Sequence, residues 1–167
     1  IIEEILEEAE VVEQHMHPPF NVTVPNGSYR YGAITFASAA NTETVTLTSG
    51  GTNYVYTFKT SLGSPGANNV EVKVQGSTAE TAAMFAKAVR GVTDAVNIAY
   101  GTGTQPNPGF TAHYTGIRTS LGSTMHPDSA TTGPTVRFRD RYQDRDDATY
   151  PLTIADTTTQ SGVWKQT

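Results

Sequence analysis

The chain has 167 residues, a formal net charge of −5 and no cysteine. This length suits a single domain with a sizeable core, and the lack of cysteine excludes a disulfide scaffold, a thiolate zinc site and a cysteine nucleophile. No apolar run approaches the ~20 residues of a membrane-spanning helix, and the N-terminus is acidic where a secretory signal would be basic, so we expect a soluble protein without a membrane partner.

The negative charge is concentrated at the N-terminus. Residues 1–17 contain six glutamates and neither lysine nor arginine, whereas the remaining 150 residues carry 11 basic and 10 acidic side chains. A nearly neutral body lacks the basic patch that displaces counterions from a nucleic acid, so we expect no nucleic-acid partner.

Residues 1–17 are predicted to form an α-helix, because apolar side chains recur with the three- and four-residue spacing of a coiled coil. These apolar residues are Ile2, Ile5, Ala9, Val12 and Met16. Pro18 and Pro19 end the helix, since proline lacks the amide that the helix needs. A helix of this length is marginal alone in water and therefore needs a partner surface.

Three surfaces could receive this helix: its own domain, a self-associated bundle or another protein. Isoleucine at core positions favours a trimer, whereas six glutamates without a basic residue would repel one another in a homomer. The repulsion favours a basic groove on another protein, towards which the glutamates would steer the helix. The predicted anchor therefore comprises the apolar residues above together with Glu3, Glu7 and Glu10.

Strand patterns begin after a linker predicted over residues 18–32. The predicted strands cover residues 33–36, 44–48, 54–59, 70–74, 96–100, 110–115, 135–139, 150–154 and 162–165. Residues 49–53 have the length of a hairpin loop, with two glycines free to take positive φ. Pro151 predicts that its strand lies at a sheet edge, because proline cannot donate to the strand ladder.

One strong helix signal interrupts the strands, at residues 77–91. Ser77 is an N-cap with Glu80 completing a capping box, and Gly91 supplies a left-handed stop. The residues Ala82, Phe85, Ala86 and Val89 share one face of the helix. This narrow apolar face predicts a helix that lies on one face of a sheet.

The predicted fold class is α+β: a mostly antiparallel β-sheet or small sandwich with one packed helix, preceded by the N-terminal α-helix. The corresponding domains are an anchor helix at residues 1–17, a linker at 18–32 and a β-rich body at 33–167.

Histidines and aspartates do not form a recognisable metal site. His15 and His17 are two residues apart and do not share a helical face, and only His113 and His126 remain as nitrogen ligands. An oxygen-ligand site in residues 140–147 would lack the spacing, glycine and glutamate of an EF-hand. We therefore expect no metal and no cofactor.

Residues 137–147 contain four arginines and four aspartates. We interpret them as an ion-paired edge, formed within the domain or across to a neighbouring subunit, because planar guanidinium groups match carboxylates. The candidates for ion pairs between subunits are Arg137, Arg139, Asp140, Arg141, Asp144 and Arg145.

Catalytic motifs are lacking, and aromatic side chains offer a different function. There is no nucleophile elbow and no phosphate loop, so we expect neither catalytic residues nor an enzyme. A sugar or receptor platform is the alternative, although strand tyrosines more often belong to the core. Its candidate residues are Tyr29, Tyr31, Tyr54, Tyr56, Tyr114 and Trp164.

Residues 33 to about 115 resemble a domain that recurs in structural proteins of tailed bacteriophages. The matching motifs are the strand at 44–47, the glycine hairpin at 50–51, the strand at 56–59, the strand at 69–72, the alanine-rich helix at 79–89 and the Asn-Pro-Gly-Phe-Thr-Ala strand at 107–112. The acidic N-terminal helix is similar to leading segments of phage capsid accessory proteins.

This resemblance implies a non-enzymatic component of the virion, located at the particle surface. The protein would be a capsid decoration or accessory protein, with the major capsid protein or another virion protein as its partner. The alternatives that the resemblance leaves open are a head fibre, including a self-associated trimer, and a tail or neck component.

Overall fold

The computed structural model describes residues 29–118, 133–142, 149–156 and 161–165. The predicted anchor helix and most of the predicted linker lie outside these residues. The described elements are β1 (Tyr31–Thr35), β2 (Thr44–Ser49), β3 (Thr52–Lys59), β4 (Asn69–Lys73), α1 (Thr78–Arg90), β5 (Ile98–Tyr100), β6 (Phe110–Arg118), β7 (Gly133–Asp140), β8 (Leu152–Asp156) and β9 (Ser161–Lys165).

The strands form two sheets. One sheet has four strands in the order β6-β7-β1-β9, and the other has five in the order β5-β4-β3-β2-β8. Neighbouring strands are antiparallel except for β3 and β4, which are parallel. In the described part of the chain, two sheets with one helix confirm the predicted α+β class.

Glycine and proline residues set the ends of several strands. Gly50 and Gly51 have φ of 57° and 78° and form a two-residue turn between the paired residues Ser49 and Thr52, which is shorter than the predicted five-residue loop. Positive φ at both positions matches the twist of the hairpin strands. β8 begins directly after Pro151 and lies at the edge of its sheet, as proline predicts.

Helix α1 has the predicted caps. The Ser77 hydroxyl accepts a hydrogen bond from the Glu80 amide at 3.2 Å and donates one to the Glu80 carboxylate at 2.9 Å. At the other end Gly91 has φ of 78°, and a Cβ there would lie 2.7 Å from Cα of Pro106. Both ends of the helix are therefore fixed by residues that the sequence identified.

The predicted position of α1 on the face of one sheet is wrong. The helix contacts β4 of the five-stranded sheet and also β6 and β7 of the four-stranded sheet. Its Phe85 ring meets Tyr56 and Phe58 of one sheet and Phe138 of the other, with centroid distances of 5.2–6.0 Å. A helix whose side chains are buried over most of its circumference can join two sheets in one core.

The core includes two tyrosines that the sequence offered as members of a binding platform. Tyr54 and Tyr56 are buried, so neither can present a ring to a ligand. The Tyr56 hydroxyl accepts a hydrogen bond from the Asn107 side chain at 2.8 Å, and burial raises the pKa of Tyr56 far above its usual value.

Tyr100 adds to the alkaline pH sensitivity that we expect of the fold. Burial, followed by the Asp94 charge, raises the pKa of Tyr100 from its usual 10.0 to about 12. Because Tyr56 and Tyr100 bind their protons more tightly when folded, their stabilising contribution is complete below the unfolded pKa and declines as pH rises through the folded values.

We therefore expect the free energy of unfolding in urea to fall between about pH 10 and pH 12. The Tyr100→Phe variant should show a shallower fall, since one of the two shifted groups has been removed. An equal or greater stability near pH 11 than near pH 9 in the wild-type chain would contradict this expectation.

Candidate functional site

Strand β7 separates its side chains onto two faces. Val136, Phe138 and Asp140 are buried, whereas Arg137 and Arg139 are partly exposed, because successive side chains of a strand point to opposite faces. The strand register places Thr111 and Tyr31 on either side of Arg139.

A cavity of about 320 Å³ lies at this outer face of the four-stranded sheet. Its lining residues are Thr111, Arg139, Arg141 and Tyr142. We call it the arginine pocket. Arg141 and Tyr142 come directly after the end of β7, where the Arg141 amide donates a hydrogen bond to the Gly109 carbonyl at 3.1 Å. The pocket is therefore built by β6, β7 and the turn that follows β7.

The two arginines of the pocket lack acidic partners among the described residues. Cζ of Arg139 lies 4.5 Å from the centroid of the Tyr29 ring, a cation–π contact that orients the guanidinium. Nε of Arg139 is buried without a hydrogen-bond partner in the described part of the chain. The exposed Arg141 guanidinium likewise has no described ion pair.

Asp140 cannot neutralise the pocket, because Arg30 holds it inside the domain. Nη2 and Nε of Arg30 donate to Oδ2 of Asp140 at 2.7 and 3.0 Å, and the two side chains are 3% and 1% exposed. The remaining oxygen, Oδ1, accepts from the Tyr142 amide at 3.0 Å. Nη1 of Arg30 donates to the Tyr150 carbonyl at 2.8 Å.

This buried pair shows which of the two predicted arrangements Asp140 adopts in the described part of the chain. Residues 137–147 are predicted to pair within the domain or across to a neighbour, and the Asp140 carboxylate pairs within the domain, shielded from solvent. Arg137, Arg139 and Arg141 are the predicted interface residues that remain on the outer face or beside it. Asp144 and Arg145 lie outside the described residues.

The sequence missed Arg30, which fell within the predicted linker. β1 begins at Tyr31, two residues before the predicted strand, and the Arg30 carbonyl accepts a hydrogen bond from the Asp140 amide at 2.9 Å. A signal did exist: Asp140 continues the inward series of Val136 and Phe138, and a buried carboxylate requires a partner. Its position 110 residues away along the chain gave no further clue.

The other predicted site residues are dispersed or undescribed. His113 is exposed on β6, and His15, His17 and His126 lie outside the described residues. Within the described ranges, no three His, Asp or Glu side chains are grouped so that they could hold a metal ion. Nor is any described helix long and apolar enough to cross a membrane.

Comparisons with protein-family models, with curated proteins and with solved structures returned no match. The chemistry of the site must therefore be inferred from its own groups. Guanidinium, hydroxyl and phenol groups donate hydrogen bonds, and arginine keeps its proton at ordinary pH. These groups favour the binding of an oxygen-rich, negatively charged group.

Proposed function

We propose that this chain is a non-enzymatic structural protein of a phage virion, a capsid decoration or accessory protein attached through residues 1–17. Its partner would be the major capsid protein or another virion protein. The proposal combines the phage-like motifs of residues 33–115 with an acidic, apolar-striped N-terminal segment. We further propose that the two sheets form a small sandwich that projects from the particle.

The observation that carries this proposal is the N-terminal segment, in which apolar residues recur at coiled-coil spacing among six glutamates. The buried ion pair between Arg30 and Asp140 would fasten the body directly after that segment. An attached body must be held firmly where its tether begins. Arg30 precedes β1 and is bonded to the end of β7 through both its side chain and its backbone carbonyl. A force applied through residues 1–28 would act on this bonded junction rather than on an isolated strand end.

A matched pair of substitutions tests the attachment. Ile5→Asp places a charge in the apolar stripe and should reduce co-sedimentation with capsids at least about tenfold, because the stripe supplies the contact surface. Val11→Asp makes a similar change on the opposite side of the predicted helix and should leave co-sedimentation nearly unchanged. The melting temperature of both variants should equal that of the wild type.

Capsid binding by Ile5→Asp at the wild-type level would overturn the anchor hypothesis. The alternative, a head fibre or a tail or neck component with a glycan- or receptor-binding β-domain, makes a different prediction. Light scattering of the full chain would then give the mass of a trimer, and Ile5→Asp would reduce it to the mass of a monomer. A monomeric wild-type chain would count against the trimeric fibre.

A further inference from the structure

We propose that the arginine pocket binds the carboxylate of an acidic sugar, with the sugar ring against Tyr142. The inference gives the β-domain a ligand class and does not depend on how residues 1–17 attach the protein. It rests on the lining of the pocket by Thr111, Arg139, Arg141 and Tyr142, and on the charge state of this part of the sheet.

Charge is the first argument. Two arginines line the pocket, and none of its described lining residues is acidic. The nearest acidic residue along β7, Asp140, is compensated by Arg30 on the buried side of the strand. Among the described residues no carboxylate compensates the positive charge at the pocket, whereas Arg30 is already paired and Arg90 donates to the Ala112 carbonyl at 2.9 Å.

Orientation is the second argument. The Tyr29 ring holds the guanidinium of Arg139 at 4.5 Å, so binding a ligand would cost little additional side-chain entropy. Arg139 is partly exposed and its Nε is buried, so a ligand would meet this guanidinium through its two Nη groups. They present two parallel donors at the end of the guanidinium, the arrangement that a carboxylate accepts.

Size and polarity distinguish a sugar acid from a bare anion. The pocket is a depression of about 320 Å³ that is largely open to solvent, and its volume is at the lower limit of ligand pockets and above what a carboxylate or phosphate needs. Tyr142 is 47% exposed and offers a ring on which the C–H face of a pyranose can stack. The Thr111 hydroxyl can exchange hydrogen bonds with sugar hydroxyl groups.

Calorimetric titration of the full chain tests the site. Glucuronate and N-acetylneuraminate are the acidic probes, methyl glucoside is the uncharged control, and inorganic phosphate at matched ionic strength is the control for a simple anion. We expect saturable binding of at least one sugar acid with a Kd in the millimolar range, and no binding of methyl glucoside. Many copies on one particle would raise the effective affinity.

Variants then locate the site. Arg139→Gln and Arg141→Gln should each weaken binding of the sugar acid about tenfold or more. Lys87→Gln, which removes one positive charge from an exposed position on α1, should leave the Kd unchanged. Tyr142→Ala should weaken binding of the sugar acid while leaving any weak binding of phosphate unaltered.

Several outcomes would overturn the proposal. These are no saturable binding of either sugar acid, wild-type affinity in folded Arg139→Gln, or phosphate binding as tight as that of the sugar acid with no effect of Tyr142→Ala. The last result would indicate a nonspecific anion site. Each of these results is separate from the co-sedimentation of Ile5→Asp, so failure of the sugar site is distinguishable from failure of the anchor.

Discussion

Replacing Phe85 by alanine is expected to reduce the free energy of unfolding by about 3–5 kcal/mol. The side chain is fully buried and makes edge-to-face contacts with four rings. Those rings are Phe36 at 5.6 Å, Tyr56 at 5.2 Å, Phe58 at 6.0 Å and Phe138 at 5.9 Å. Truncation would remove these contacts and leave a cavity at the junction of α1 with both sheets.

Urea unfolding of Phe85→Ala beside two variants of the same helix measures this effect. Phe85→Leu fills part of the cavity and should lose less stability than Phe85→Ala. Lys87→Ala changes an exposed position and should alter the free energy of unfolding by no more than about 0.5 kcal/mol. An unchanged midpoint for Phe85→Ala would show that α1 does not occupy the position described.

The helix shows what could be predicted from the sequence and what could not. Its limits follow from Ser77, Glu80 and Gly91, which act within a few residues of one another, and such local signals are explicit in sequence. Which surface covers the helix is not a local property. The apolar face of the helix indicates that Phe85 is buried, but it does not indicate that rings from two sheets surround that side chain.

Strand pairing had the same limitation. The alternation of apolar and polar side chains located most of the strands to within a few residues, because this two-residue pattern is visible within each strand's own sequence. The division into two sheets and the parallel pairing of β3 with β4 depend on contacts between distant segments. Strands with the same alternation fit many partners, so the pattern alone could not assign them.

The arginine pocket was predictable in part. Arg137, Arg139 and Arg141 occupy alternate positions, so the strand period places them together and places Asp140 on the other face. The interpretation as an ion-paired edge grouped these arginines with Asp140, although the alternation of side chains along a strand places Asp140 on the opposite face. The pairing of Asp140 with Arg30 and the contact of Arg139 with Tyr29 could not be foreseen, because Arg30 and Tyr29 lie in the segment predicted as a linker, far along the chain from β7.

The second large effect is expected at the ion pair between Arg30 and Asp140. Arg30→Met should reduce the free energy of unfolding by about 3–5 kcal/mol, because it leaves the Asp140 carboxylate buried without its compensating charge. It also removes the donor to the Tyr150 carbonyl. Asp140→Leu should be similarly destabilising, since it leaves the Arg30 guanidinium buried without its carboxylate partner. Arg141→Gln, an exposed change one residue away from Asp140, should cost no more than about 0.5 kcal/mol.

The double variant Arg30→Met with Asp140→Leu measures the net contribution of the ion pair to the free energy of unfolding. The single variants measure the larger loss that follows when one charge is left buried without its partner. Replacing both charges by apolar groups of similar size is often nearly neutral, so the double variant should be more stable than either single variant. If the losses of the single variants simply add, the two side chains are not coupled. The ion pair would then contribute nothing to holding Arg30 against the end of β7. The proposed transmission of force from residues 1–28 into β7 would fail.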